Sequence, residues 1–220
     1  MDLSSIITVV SIAAIPLVLA ITLHEVAHGW VAKLHGDRTA ESQGRLTLNP
    51  LSHVDLVGTL LMPALQLLFF KTVLFGWAKP VPVAQGRLRN PRRDMVRVAL
   101  AGPLANILMA VCWAAILAIV ARLGVPDGSP AEWLVEMSMY GVTINALLAA
   151  FNLLPLPPLD GGRVLVNALP RGPFTRFLES LEPWGLVIVM VLLVTNVAWM
   201  VVGPLKALLE TGIYALVGLN

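Results

Sequence analysis

Two histidines flank a glutamate in His24-Glu25-Val26-Ala27-His28, inside a long apolar run. On an α-helix, residues four apart share one face and lie about 6 Å apart along the axis. Two imidazoles so placed can reach one zinc ion, and the adjacent glutamate can contact an activated water as general base. Zinc lowers the pKa of such a water to roughly 7, which supplies a nucleophile where bulk water is scarce. Only four of the 220 residues are histidine, so this spacing around a glutamate is not what composition alone would give. Each ionisable group in an apolar helix costs on the order of 2–3 kcal/mol at the bilayer centre, and residues placed at that cost usually serve function.

A catalytic zinc site needs a third protein ligand and one open position. The carboxylates and imidazoles that remain as candidates are His35, Glu41, His53, Asp55 and Asp160. Asp160 is the best placed. It follows an apolar run and the prolines Pro155, Pro157 and Pro158, and it precedes Gly161 and Gly162. Prolines and glycines let the backbone leave the helix and aim a carboxylate inward instead of at lipid. Asp-Gly is also a common turn pair, so a simple helix-exit turn is the competing reading.

The elements that must carry these groups belong to a bilayer. The chain is 57% hydrophobic and 13% charged, with mean hydropathy +0.81. Soluble domains average about 45–50% apolar and about 25% charged. The small net charge of +2 and the absence of a basic stripe with interleaved aromatics argue against nucleic acid as a partner. The single cysteine, Cys112, lies in an apolar run and constrains no disulfide. A spanning helix needs about 20 apolar residues. Runs that approach this cover residues 4–34, 56–75, 96–121, 137–154 and 184–202, with a short apolar tail over 204–219 that fits an interfacial helix or a tilted span. The first run lacks a basic leader and a cleavage site, so it reads as a mature helix. Alternation in Arg45-Leu46-Thr47-Leu48 and Val81-Pro82-Val83 suggests short β-strands near the active site. The expected fold is therefore an all-α polytopic membrane protein, one domain over residues 1–220, with about four to six transmembrane helices and a re-entrant segment.

Charge sets the orientation. Residues 71–97 carry seven basic side chains against Asp94 alone, whereas residues 122–136 carry three acids and one base. The first segment should be cytoplasmic and the second external. The histidines then lie toward the inner end of the first helix. Asp160 can join them only if the 137–154 run also ends inside, which requires a single crossing before it. Residues 56–75 should therefore re-enter and leave by the same face, with Pro63 as the turning point.

The sequence resembles the site-2 protease family of intramembrane zinc metalloproteases. The matching elements are His24–His28, Ala101-Gly102-Pro103-Leu104-Ala105-Asn106, and Asn152 to Gly162. The resemblance implies that His24, His28 and Asp160 bind zinc, that Glu25 is the catalytic base, and that Asn152 stabilises the oxyanion or positions substrate. It also implies hydrolysis of peptide bonds in or near transmembrane segments of membrane proteins within the lipid bilayer, that is, regulated intramembrane proteolysis. Gly44 to Asp55 and Gly76 to Val83 resemble a compact prokaryotic subgroup, and no segment is long enough for an inserted PDZ or CBS domain. This places the expected protein in a prokaryotic cell membrane with its site toward the cytoplasm. His53 and Asp55 either line the site or hold a loop. The competing function class is a membrane metal transporter or a non-catalytic metal-binding membrane protein, which predicts metal flux and no Glu25-dependent cleavage. Substrate identity and oligomeric state are not readable from these residues.

Overall fold

In the computed structural model, residues 3–70, 76–126 and 129–219 are described. Three long helices form its centre: α1 (Leu3–Leu34), α4 (Pro91–Leu123) and α5 (Pro130–Asn152). Hydrophobicity cannot drive helix association inside lipid, so close backbone approach must. The buried faces accordingly carry small residues: Ala20 and Ala32 on α1, Ala110 and Ala114 on α4, and Ala146, Ala149 and Ala150 on α5. The opposite faces expose Ile15, Leu19, Leu104, Leu108 and Ile119, as lipid-facing surfaces do. The start of α4 is tied to the exit of α1. Asp94 is fully buried; its carboxylate accepts the Asn90 N–H (2.7 Å) and meets Arg97 (2.9 Å) and His35 Nδ1 (3.3 Å). The acidic stretch expected as a loop is shorter than anticipated, since Glu132 already sits in the first turn of α5, where a carboxylate suits the helix dipole.

The second apolar run does not turn at Pro63. Residues Leu56–Leu61 form a π-helical segment that continues directly into α3 (Met62–Phe70). Proline lacks an N–H and its ring crowds the carbonyl four residues back, so the wider register suits it. In that register Pro63 would be the partner of the Gly58 carbonyl and has nothing to donate. The Trp77 N–H takes the carbonyl instead (3.1 Å), and the Thr59 hydroxyl donates to the Trp77 carbonyl (2.9 Å). Residues 58 and 77 thus lie side by side. Residues 71–75 of this run, with Lys71, lie outside the described residues, as does Asp127 in the acidic segment.

No strand forms among the described residues, which corrects the expectation drawn from 45–48 and 81–83. Residues 79–84 run as an extended ribbon held by side chains. Arg45 Nη2 donates to the Lys79 carbonyl (2.7 Å), and the Lys79 N–H donates to the His53 carbonyl (2.9 Å). The Ala84 N–H donates to Asp37 Oδ2 (2.6 Å), while Asp37 Oδ1 accepts from the N–H and hydroxyl of Thr39 in α2 (Thr39–Ser42). Burial alone would raise the Asp37 carboxyl; the Thr39 and Ala84 donors outweigh it and hold it below the usual carboxylate range. Pro80 and Pro82 explain the missing sheet, because alternate residues cannot donate to a ladder.

The run expected over 184–202 is broken. After α6 (Asp160–Ala168) and α7 (Pro173–Leu181), α8 (Gly185–Val194) ends before Asn196 in the left-handed region (φ 61°), and α9 (Val197–Leu216) begins. Residues 173–194 are together long and apolar enough to cross, as are helices α1, α4 and α5. Yet Val189 and Leu193 pack on Phe151, Leu156 and Leu159, the level at which α5 ends. The tail packs along α5. Val202 packs with Ala150 and Leu154, Glu210 accepts from Thr143 (2.9 Å), Ile213 packs with Trp113 and Val142, and Arg122 reaches the Val217 carbonyl. These contacts run α9 antiparallel to the second half of α5. Single cysteines at Ser52 and Lys79, in a Cys112→Ser background, should label with an impermeant maleimide from one face of sealed vesicles, and Leu123→Cys and Leu219→Cys from the other. Labelling of Leu219→Cys together with Ser52→Cys would remove α9 as a crossing.

Candidate metal centre

His24 and His28 lie on one face of α1, and Asp160 is the first residue of α6. His24 Nε2 and His28 Nε2 are 3.0 Å apart, and Asp160 Oδ2 is 3.2 Å and 3.3 Å from them. All three residues are buried, and they form a group able to hold a metal ion. The protons are accounted for on the far sides of the rings. His24 Nδ1 is 2.6 Å from Asn106 Oδ1, and His28 Nδ1 is 2.7 Å from the Val98 carbonyl. Both partners are acceptors, so each Nδ1 carries the hydrogen and each Nε2 presents a lone pair. Asp160 Oδ2 has no hydrogen-bond donor. Three acceptors facing one another with no donor fit a cation. Each unsatisfied buried acceptor would otherwise cost roughly 1–3 kcal/mol. Their mutual spacing also suits zinc, since bonds of about 2.0 Å in a tetrahedron give ligand separations of about 3.3 Å.

The polarity of Asn106 is itself fixed. Its Nδ2 donates to the Ala20 carbonyl (3.2 Å) and to Asn145 Oδ1 (3.0 Å), so Oδ1 must face His24. Asn145 Nδ2 in turn donates to the Gly141 carbonyl (2.9 Å). An amide chain therefore links α1, α4 and α5 and fixes one imidazole tautomer. Gly102 lets α4 approach: a Cβ there would lie 2.4 Å from His28 Nε2 and 2.6 Å from His24 Nε2. Asp160 is delivered in the same way. Cβ atoms on Gly161 and Gly162 would lie 2.3 Å from the Leu153 carbonyl oxygen and 2.2 Å from Pro157 N, so only glycines allow residues 153–157 to fold over the start of α6.

A cavity of about 130 Å³ opens on the three ligand candidates and is lined also by Glu25, Val81, Asn152 and Arg163. Glu25 Oε2 accepts the Val81 N–H (2.7 Å), so the ribbon holds this carboxylate by one oxygen. Asn152 ends α5 and returns one amide N–H to the Leu148 carbonyl (3.0 Å), leaving its second. The other candidate ligands are placed elsewhere. His35 meets Asp94, and Glu41 pairs with Lys33 (2.6 Å). His53 Nε2 holds the Thr47 carbonyl (3.0 Å), and Asp55 caps the π-helical segment through the N–H groups of Val57 and Gly58. His53 and Asp55 therefore hold loops. Sequence reasoning gave Asn106 and Gly102 only as motif members and passed over Asn145 and Arg163. The available signal was a buried amide in each of two apolar helices, with Asn145 seven residues before Asn152 on the same face.

Comparison with known proteins agrees with this geometry. The profile described as peptidase family M50 matches residues 12–132 and 122–194. YwhC of Bacillus subtilis (strain 168) is 36% identical over 192 residues, covering 87% of this chain and 84% of the relative. Rip2 of Mycolicibacterium smegmatis is 32% identical over 178 residues, covering 80% of this chain and 64% of the relative. MJ0611 of Methanocaldococcus jannaschii is 38% identical over 69 residues, about a third of each chain. All three carry names that assign them as zinc metalloproteases. No solved structure matches. With its motifs, multi-pass apolar helices and these relatives, the chain belongs to peptidase family M50, the site-2 protease family, and is an intramembrane zinc metalloprotease.

Proposed function

We propose that His24, His28 and Asp160 hold the catalytic zinc, that Glu25 is the general base, and that the protein hydrolyses peptide bonds within transmembrane segments of its membrane-protein substrates. The observation that carries this reading is the convergence of three donor-free lone-pair atoms beside the Glu25 carboxylate in one cavity. When bound, zinc supplies Lewis-acid charge at the scissile carbonyl and acidifies water toward a pKa of about 7.

The remaining work falls to the chain. Oε2 of Glu25 is engaged by the Val81 N–H, so Oε1 is free to take the proton from water and return it to the leaving amine. The unspent N–H of Asn152 can donate to the oxygen on which charge develops. Gly102 and the apolar walls keep the site close-packed and limit water to the cavity. A substrate helix hides its carbonyls in its own hydrogen bonds, so it must unwind to reach the site, and the ribbon offers an extended backbone beside Glu25 along which an unwound segment can lie. The basic side chains Arg87, Arg89, Arg92, Arg93 and Arg97 cluster at the face where α1 ends, which supports a cytoplasmic-side site in a prokaryotic cell membrane.

Glu25→Gln should retain zinc and lose at least about 100-fold in kcat/KM on a reconstituted transmembrane substrate. Full activity in that variant would remove Glu25 as base. Asn106→Leu, which frees the His24 tautomer, should weaken zinc by about 10–100-fold in a competition titration with a chelating dye; unchanged affinity would confine Asn106 to helix packing. Chelator treatment should abolish cleavage and added zinc restore it, whereas Asp160→Ala should not recover at the same zinc concentration.

A further inference from the structure

A second, larger cavity of about 960 Å³ adjoins the catalytic one. The two share Pro80, Val81, Val83, Met95 and Arg163, so they meet at a neck beside the Glu25–Val81 hydrogen bond. Beyond the neck the larger cavity is a trough. One wall is the ribbon, the other is α6 and the segment after it, and the start of α4 lies between them. The walls are built to stay together: Gln85 Nε2 donates to Asn167 Oδ1 (2.6 Å), and Arg92 donates to the carbonyls of Val166 (2.6 Å) and Leu169.

The charges along this trough are not symmetric. Arg163, one turn after Asp160, is the sole charged side chain among the described residues that lines both cavities. It is half-buried, and none of the hydrogen bonds or ion pairs among the described residues engages its guanidinium. Arg171 lines the trough in the same unengaged state, whereas Arg92 is spent on backbone carbonyls. Glu179 and Glu182 line the trough but not the neck. The ribbon wall contributes backbone. Its proline nitrogens donate nothing, and the Val83 N–H has no partner among the described residues. An extended chain leaving the catalytic cavity here would meet an open backbone edge on one side and a half-buried guanidinium on the other.

Resting on the protease reading above, we propose that the trough seats the extended segment of the substrate on one side of the scissile bond, and that Arg163 selects an acidic side chain placed within a few residues of that bond. A forked guanidinium between low-dielectric walls binds a carboxylate better than an exposed one does, and it rejects a cation there. The acids farther along fit the Lys and Arg that follow a transmembrane segment on the cytoplasmic side. The substrate class is therefore a single-span membrane protein with an acid next to the cleavage site and basic residues beyond it.

The test uses the full-length zinc-loaded protein in liposomes. Its substrates are single-span proteins differing only by Glu, Gln or Lys at successive positions flanking the cleavage site. At one or two positions on one side, wild type should cleave the Glu substrate about tenfold better than the Lys substrate, mainly through KM. Arg163→Glu should reverse that order, Arg163→Gln should erase it, and Arg163→Lys should keep it in weakened form. Zinc content is measured for each variant. If Arg163→Glu loses metal, the wild-type preference and its loss in Arg163→Gln decide the matter. Glu25-dependent cleavage by wild type with no charge preference, or the same preference in Arg163→Gln, overturns the role of Arg163 and leaves the protease reading intact. Absence of Glu25-dependent cleavage on every substrate overturns both.

Discussion

Two imidazole nitrogens and one carboxylate oxygen face one another across about 3 Å in an apolar interior, with every available proton turned the other way. With both imidazoles neutral, a cation among these three atoms satisfies them together. Much of the centre of the molecule serves to enforce that arrangement. Asn106 and the Val98 carbonyl hold the rings by their Nδ1–H groups. Gly102 removes the side chain that would push α4 away. Gly161 and Gly162 let the loop after α5 close over Asp160. Because ligands must be deprotonated and held together, metal affinity and the packing of α1, α4 and α6 are coupled quantities. A change that loosens one loosens the other.

Placing such a site in lipid raises the question of how water and irregular backbone reach it. The segment from 56 to 77 and the ribbon from 79 to 84 answer together. Irregular backbone at membrane depth is tolerated where it is buried in protein or lines a cavity. Several polar backbone groups on these segments are tied by specific devices: the Asp55 cap, the Trp77 N–H on the Gly58 carbonyl, the Arg45 contact with the Lys79 carbonyl, and the Asp37 grip on Ala84. Pro63, expected to turn the chain, instead leaves the Gly58 carbonyl open for the returning strand of residues. The pairing of residue 58 with residue 77 thus rests on a missing donor, not on a bend at Pro63.

Much of this was readable before any coordinates, and the rest failed for identifiable reasons. Histidine spacing around Glu25 sits on one helix, where periodicity is local and strong, and Asp160 was exposed as a candidate by the prolines and glycines around it. The parity of membrane crossings followed from charge and required the 56–77 excursion to return. What could not be read was side-chain pairing across helices. Asn145 looks like any polar residue in an apolar run until α4 places Asn106 opposite it. The break at Thr195–Asn196 carries no proline or glycine, and the apolar run passes through it unmarked. The strand anticipated near 81–83 had the right alternation, but Pro80 and Pro82 remove the donors that a ladder needs, and 45–48 is then left without that partner.

That same alternation explains why the ribbon can stand beside a reactive site without becoming a liability. An extended edge with a full set of donors and acceptors would pair with any exposed strand. With Pro80 and Pro82 in place, only Val81 and Val83 have N–H groups over residues 80–83, and Val81 donates to Glu25. The edge is therefore reduced to a few backbone positions, and one of them positions the Glu25 carboxylate proposed as general base. A peptide laid along the ribbon cannot displace Val81 without also moving Glu25. In the proposed reading, seating of the substrate and alignment of Glu25 are thus set by one short stretch of backbone.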